Sequence, residues 1–329
     1  MRYTKLGNSD IEVSVIALGC WPFGGVFAWG EQDDADSIAT VHAALDAGIN
    51  FFDTAEAYDK GKSEQVLGEG LRGRRHEAVI ATKLGDDSLH PAAVPAACER
   101  SLRLLQTDYI DLYQIHWPNH DIPLSESLGA LQRLQEQGKV RAIGVSNFGP
   151  LDLSEAVAAC QIVTNQVNFS LLWRVIEREI KPLCEEHDVG ILCYSSLAQG
   201  LLTGRYAAIE DVPGYLKRTR WYSRTLPDTK HDDEGCESEI FAALPEIRAL
   251  AESLNTTMAC LSMAWLLQQS GVTSILVGAR KPEEVSWNLP ALDLTLDEDT
   301  LNQLAEITEP VKDKLGDNAD MWFSESRMR

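Results

Sequence analysis

Asn50-Phe51-Phe52-Asp53-Thr54 is a short apolar run that ends in polar residues, and an amphipathic stretch follows it at 62–71. Runs of the same kind, rich in β-branched residues, recur at 13–18, 78–83, 109–116, 142–146, 164–168, 191–195 and 274–277. Between them lie segments with apolar residues at three- and four-residue spacing, among them 35–47, 91–105, 124–135, 177–187 and 258–269. The strands read apolar almost throughout, as expected when both faces of a parallel sheet are covered. This alternation predicts an α/β fold, a single (β/α)8 TIM barrel in one domain over 1–329. An open doubly wound sheet has similar local patterning, and the count of eight strands decides for the barrel.

Composition narrows the function classes. The chain has 329 residues, 29 basic and 50 acidic side chains, and a formal charge of −21. Binding to phosphate backbones or anionic lipid draws its free energy from clustered Lys and Arg, so neither nucleic acid nor a membrane is expected as a partner. Seven cysteines are scattered without a CxxC or Cys/His cluster. No metal site and no disulfide framework are therefore expected, and reduced thiols fit a cytoplasmic location. Residues 13–30 carry no charge, but Pro22 and Gly24-Gly25 would break a helix there, so no membrane span is expected.

In a barrel of this kind the chemistry gathers at the C-terminal ends of the strands. Asp53 ends the second run, Tyr58 follows in its loop, Lys83 ends the third and His116 the fourth. Taken singly, each has a structural alternative: a turn residue, a surface aromatic, a solvated charge, a hydrogen-bonded histidine. Together they form a proton-transfer set. A phenol is a poor acid at neutral pH unless a neighbour adjusts it; a lysine ammonium lowers its pKa, and an aspartate holds that ammonium charged and oriented. Such a set suits proton delivery to a carbonyl oxygen as its carbon accepts hydride, and a nicotinamide cofactor must supply the hydride.

Asn50-Phe51-Phe52-Asp53-Thr54-Ala55-Glu56-Ala57-Tyr58 resembles the signature of the aldo-keto reductase superfamily, and Lys83 and His116 fall where that family has its Lys and His. The resemblance implies Tyr58 as general acid/base, Lys83 and Asp53 as the groups that tune it, and His116 as the residue that orients the substrate carbonyl. It also implies a cofactor site. Ser146, Asn147 and Gln166 would hold the nicotinamide carboxamide, Tyr194 would stack on the ring, and Ser195, Leu197, Gln199 and Gly200 would track the pyrophosphate. Ser196 stands where the family usually carries proline. Gly278 opens a loop in which Arg280 would grip a 2′-phosphate and Glu284 and Asn288 would hold adenine. That favours NADP(H), with NAD(H) as an alternative because Glu283 and Glu284 bring negative charge to the same loop.

Trp21, Phe23 and Trp117 sit at strand ends, where aromatic side chains line substrate pockets. Two segments fall outside the repeat: a polar loop at about 205–235, whose basic run 217–224 is expected as a flap over cofactor or substrate, and a tail at 311–329 carrying Met321-Trp322-Phe323. The expected activity is reversible reduction of an aldehyde, ketone or sugar carbonyl, with a carbonyl compound or polyol as small-molecule partner. Two other readings are compatible with these residues: a cofactor-binding regulatory protein resembling potassium-channel β subunits, and a lyase or aldolase using Lys83 as a Schiff base.

Overall fold

A computed structural model of the chain describes residues 1–25 and 30–329. The chain begins with a hairpin, β1 (Tyr3–Lys5) against β2 (Glu12–Ser14), and then enters the barrel. The barrel strands are β3 (Ile16–Gly19), β4 (Phe51–Asp53), β5 (Val79–Leu84), β6 (Ile110–Ile115), β7 (Val140–Ser146), β8 (Thr164–Asn168), β9 (Gly190–Tyr194) and β10 (Val272–Gly278). All neighbouring pairs are parallel, and β10 pairs with both β9 and β3, so the sheet closes.

The helices are α1 (Asp34–Asp46), α2 (Lys62–Gly70), α3 (Val94–Leu105), α4 (Leu124–Glu136), α5 (Pro150–Ala159), α6 (Ile180–Glu186), α7 (Glu237–Ser253), α8 (Met258–Leu267), α9 (Pro282–Asn288) and α10 (Glu298–Leu315). Among the described residues, no helix is long and apolar enough to cross a membrane.

Two apolar layers explain why the strands read apolar on both faces. Outward-facing residues such as Ile80, Ile110, Ile143 and Ile191 pack beneath the helices. Inward-facing Ala17, Phe51, Ala81, Leu112, Ala142 and Leu192 fill the lumen, and Leu6, Ile11 and Val13 of the hairpin plug its N-terminal end. Backbones meet closely there. Gly7 has φ +52°, and a Cβ on it would fall 1.8 Å from the Val163 carbonyl oxygen, so glycine is required. With one end stoppered by apolar side chains, the polar strand ends face the opposite mouth.

The run at 13–18 is divided. Ser14 ends the hairpin strand because its N–H donates to Asn50 Oδ1 (2.7 Å) while Asn50 Nδ2 donates to the Glu12 carbonyl (3.0 Å), and the barrel strand starts only at Ile16. The segment at 177–187 becomes helical only from Ile180, after a short 3-10 turn at Val175–Glu177. Helix α10 continues to Leu315, with Val311 and Leu315 buried on it, so the irregular tail begins at Gly316 instead of 311.

Candidate active site

Lys83 is fully buried on β5, and its ammonium is saturated. It donates to Asp53 Oδ1 at 2.6 Å, to the Thr54 carbonyl at 2.8 Å and to the Tyr58 hydroxyl at 3.3 Å. An ammonium has three N–H groups, and all three are used. Burial alone would push the Lys83 pKa down; the Asp53 carboxylate, with help from Tyr58, outweighs it and the net direction is up. The lysine is thus a fixed positive charge. A Schiff-base role would require breaking this pair, and the amine does not line the cleft described below.

Tyr58 sits in the turn after β4, half-buried, stacked on Trp21 (centroids 5.9 Å apart, 26° between planes) and edge-on to His116 at 5.8 Å. Its oxygen accepts from Lys83, which leaves its own O–H to donate elsewhere. Lys83 does pull the phenol pKa down, as the residue set implies, but burial is the larger effect and the net shift is upward. Tyr58 is therefore a protonated phenol at neutral pH. His116 is pushed down to about 3 by burial and then by the positive charges of Lys83 and Arg327, so its ring is neutral.

Asp53 is held on its other oxygen as well. Gln166 Nε2 donates to Asp53 Oδ2 at 2.7 Å, so this amide supports the carboxylate. Gln114, on β6 in register with Lys83, approaches the same oxygen at 3.5 Å; it escaped the sequence reading because a lone glutamine in a buried strand carries no spacing signal. Asn147 ties three strands together at φ +60°: it donates to the His116 carbonyl and to Ser146 Oγ, both at 3.0 Å, and accepts from the Tyr194 hydroxyl at 2.8 Å.

These residues open onto one cleft of about 610 Å³, within the range of small-molecule sites. Asp53, Tyr58, His116, Trp21 and Trp117 line it, together with Ser146, Asn147, Gln166 and Tyr194. Ser195, Leu197, Gln199 and Gly200 line it as well, and so do Gly278, Arg280, Glu284 and Asn288. Ser195, Gln199 and Gly200 all have positive φ, so the loop after β9 is a sequence of tight turns along the cleft wall. Ser196 also lines the cleft but is largely buried, and it donates to the Leu276 carbonyl at 2.8 Å.

Residues 15–309 match the Aldo/keto reductase family. The chain belongs to that family. It is 32% identical to the NADH-specific methylglyoxal reductase of Escherichia coli, over 95% of this chain and all of that protein. Among solved structures it is similar to the glycerol dehydrogenase AKR11B4 of Gluconobacter oxydans, with a TM-score of 0.78, 33% identity and coverage of 93% and 94% of the two chains. It is also similar to an aldo-keto reductase of Klebsiella pneumoniae in complex with NADPH, with a TM-score of 0.75, 31% identity and coverage of 94% and 96%. As an aldo-keto reductase, the chain is an oxidoreductase.

Some expected residues lie elsewhere in this aldo-keto reductase. Phe23 does not line the cleft; it is 1% exposed in the core under the helices, because the 3-10 turn Trp21–Gly24 sends Trp21 to the site and Phe23 inward. The basic run 217–224 is an anchor in the main, not a flap. Trp221 and Tyr222 are buried, and Arg220 is paired with Asp233 and donates to the carbonyls of Leu315, Asn318 and Asp320. Earlier parts of that loop do reach the cleft, through Arg205, Tyr206, Tyr215 and Leu216, and so does Trp322 of the tail. Met321, its neighbour, is buried instead.

Proposed function

We propose that this aldo-keto reductase reversibly reduces an aldehyde, ketone or sugar carbonyl to the alcohol, with NADPH as cofactor and Tyr58 as the proton donor. The observation that carries the reading is the 3.3 Å contact between Lys83 and the Tyr58 hydroxyl, in a cleft that Arg280 also lines.

The donor set fits a dinucleotide. Among the described residues no carboxylate forms an ion pair with the Arg280 guanidinium, whose partners are the side-chain amide of Gln32 and the carbonyl of Glu31; its charge is left for an anionic group. Ser146, Asn147 and Tyr194 would hold the nicotinamide end, and Arg280, Glu284 and Asn288 the adenosine end. When bound, the cofactor supplies hydride to the carbonyl carbon.

The protein's own part is to bind the carbonyl and move one proton. Neutral His116 has one ring N–H that can donate to the carbonyl oxygen, and Trp21 and Trp117 wall the space beside it. The Tyr58 O–H bond breaks as its proton passes to that oxygen, and the phenolate left behind is stabilised by the Lys83 ammonium, itself held by Asp53. Burial of the Lys83 ammonium strengthens that stabilisation. Seven unpaired cysteines, six of them buried, support a cytoplasmic setting for the enzyme.

The test is a panel of aldehydes, ketones, ketoses and polyols with NADPH or NADP, followed by absorbance of the reduced nicotinamide. Turnover with at least one carbonyl class is the expected result. Dinucleotide binding without turnover across the panel would instead support a sensor on the same fold.

A further inference from the structure

Arg280 belongs to two clefts at once. It lines the main cleft, and with Glu284 it also lines a second, neighbouring one of about 730 Å³. Acidic residues outnumber basic ones on the walls of that second cleft: Glu31, Asp33, Asp34, Asp36, Asp59 and Glu284, against Lys62, Lys281 and Arg280 itself. A guanidinium in such surroundings would be expected to collapse onto a carboxylate. It does not.

What holds it is neutral. Arg280 Nε donates to Gln32 Oε1 at 2.7 Å, Gln32 Nε2 donates back to the Arg280 carbonyl at 2.8 Å, and an Arg280 terminal nitrogen donates to the Glu31 carbonyl. The nearest carboxylate of its own loop, Glu284, is occupied by the Arg280 backbone N–H at 2.7 Å. A guanidinium has five N–H donors arranged along its edges. Gln32 and Glu31 take the side edge, formed by Nε and one terminal nitrogen. The end-on pair remains available, with the positive charge intact because both acceptors are uncharged.

We propose that Gln32 is the positioning residue for Arg280, and that residues 31–32, in the connection after the first barrel strand, form the second half of the site that distinguishes a 2′-phosphate from a free 2′-hydroxyl. The proposal rests on the dinucleotide reading given above. It assigns a role to an amide that lies 248 positions from its partner, and it accounts for the residue type. Glutamate at this position would still accept from Arg280 Nε but would cancel its charge and could not donate back to the Arg280 carbonyl; alanine would preserve the charge and release the side chain.

The experiment is titration of tryptophan fluorescence with NADPH and with NADH for the wild-type chain, Gln32→Ala and Gln32→Glu. Trp21, Trp287 and Trp322 line the cleft and report binding. NADPH affinity should fall about fivefold or more in Gln32→Ala, the scale of the net contribution of one hydrogen bond, and further in Gln32→Glu. NADH affinity should stay within about twofold in both, which also shows that the variants are folded. NADPH affinity that is unchanged or improved, or NADH affinity that falls in step with it, would overturn the role of Gln32 while leaving the cofactor reading intact. Binding of neither dinucleotide to the wild-type chain would overturn both.

Discussion

The Arg327 guanidinium carbon lies 3.5 Å from the centre of the Trp117 ring, while its nitrogens donate to both oxygens of Asp320 at 2.7 and 3.0 Å. Asp320 is fully buried, so the pair ties the tail to the rim of the catalytic mouth. Farther along, the Arg329 carbonyl accepts from the N–H groups of Leu151 and Asp152 at the start of α5. The tail thus crosses from the anchor at Arg220 to α5 and presents Trp322 to the cleft on the way.

Arg327→Met should therefore act twice. It leaves a buried carboxylate without its cation and should cost about 2–3 kcal/mol of stability, read as a lower thermal midpoint. It also frees Trp117, so the KM for the carbonyl should rise more than kcat falls.

Lys83→Met keeps the side-chain length but removes the charge. Asp53 then retains Gln166 as partner but loses its ion pair, and Tyr58 loses the group that would stabilise its phenolate. Turnover should fall by about 10²-fold or more with dinucleotide affinity retained, in steady-state and binding assays. Destabilisation should be partly relieved in the double variant Lys83→Met, Asp53→Asn, which removes the stranded charge as well.

His116 has a definite pH signature. Its folded pKa of about 3 lies below the unfolded value, so between roughly pH 6.5 and 3 the unfolded chain binds a proton that the native chain does not. Stability from this group is complete above that window and is lost as pH falls through it. Compared with His116→Asn, the wild-type chain should lose up to about 1 kcal/mol more per pH unit there, somewhat under the one-proton limit because the ring borders an open cleft. Denaturant titrations of both proteins from pH 7 to 4 read this difference directly.

Arg280→Ala removes the guanidinium proposed to grip the 2′-phosphate. NADPH should bind at least about tenfold more weakly, as expected for a charge-assisted bidentate contact, with NADH little affected. Paired titrations with the two cofactors check this.

The barrel was legible because its strands are covered on both faces, which leaves short apolar runs with polar ends. Three of the four catalytic candidates were legible for the same reason: Asp53, Lys83 and His116 interrupt such runs at the end where barrels do chemistry. What stayed hidden depends on distant partners. Ser14 ends one strand through Asn50, 36 positions away, so the run 13–18 looks continuous in sequence. Arg220 reads as a surface charge until the carbonyls of the tail and Asp233 are placed around it. Trp21 and Phe23 are two residues apart and go to opposite environments, a distinction made by a 3-10 turn whose facing cannot be read from hydropathy. Gln32 has no motif at all.

The most direct measurement is the turnover of Tyr58→Phe beside its NADPH affinity, since the substitution removes one hydroxyl and little else. A fall in kcat of about 10²-fold or more with affinity unchanged is the predicted result. Turnover equal to the wild-type value would contradict the assignment of Tyr58 as the proton donor.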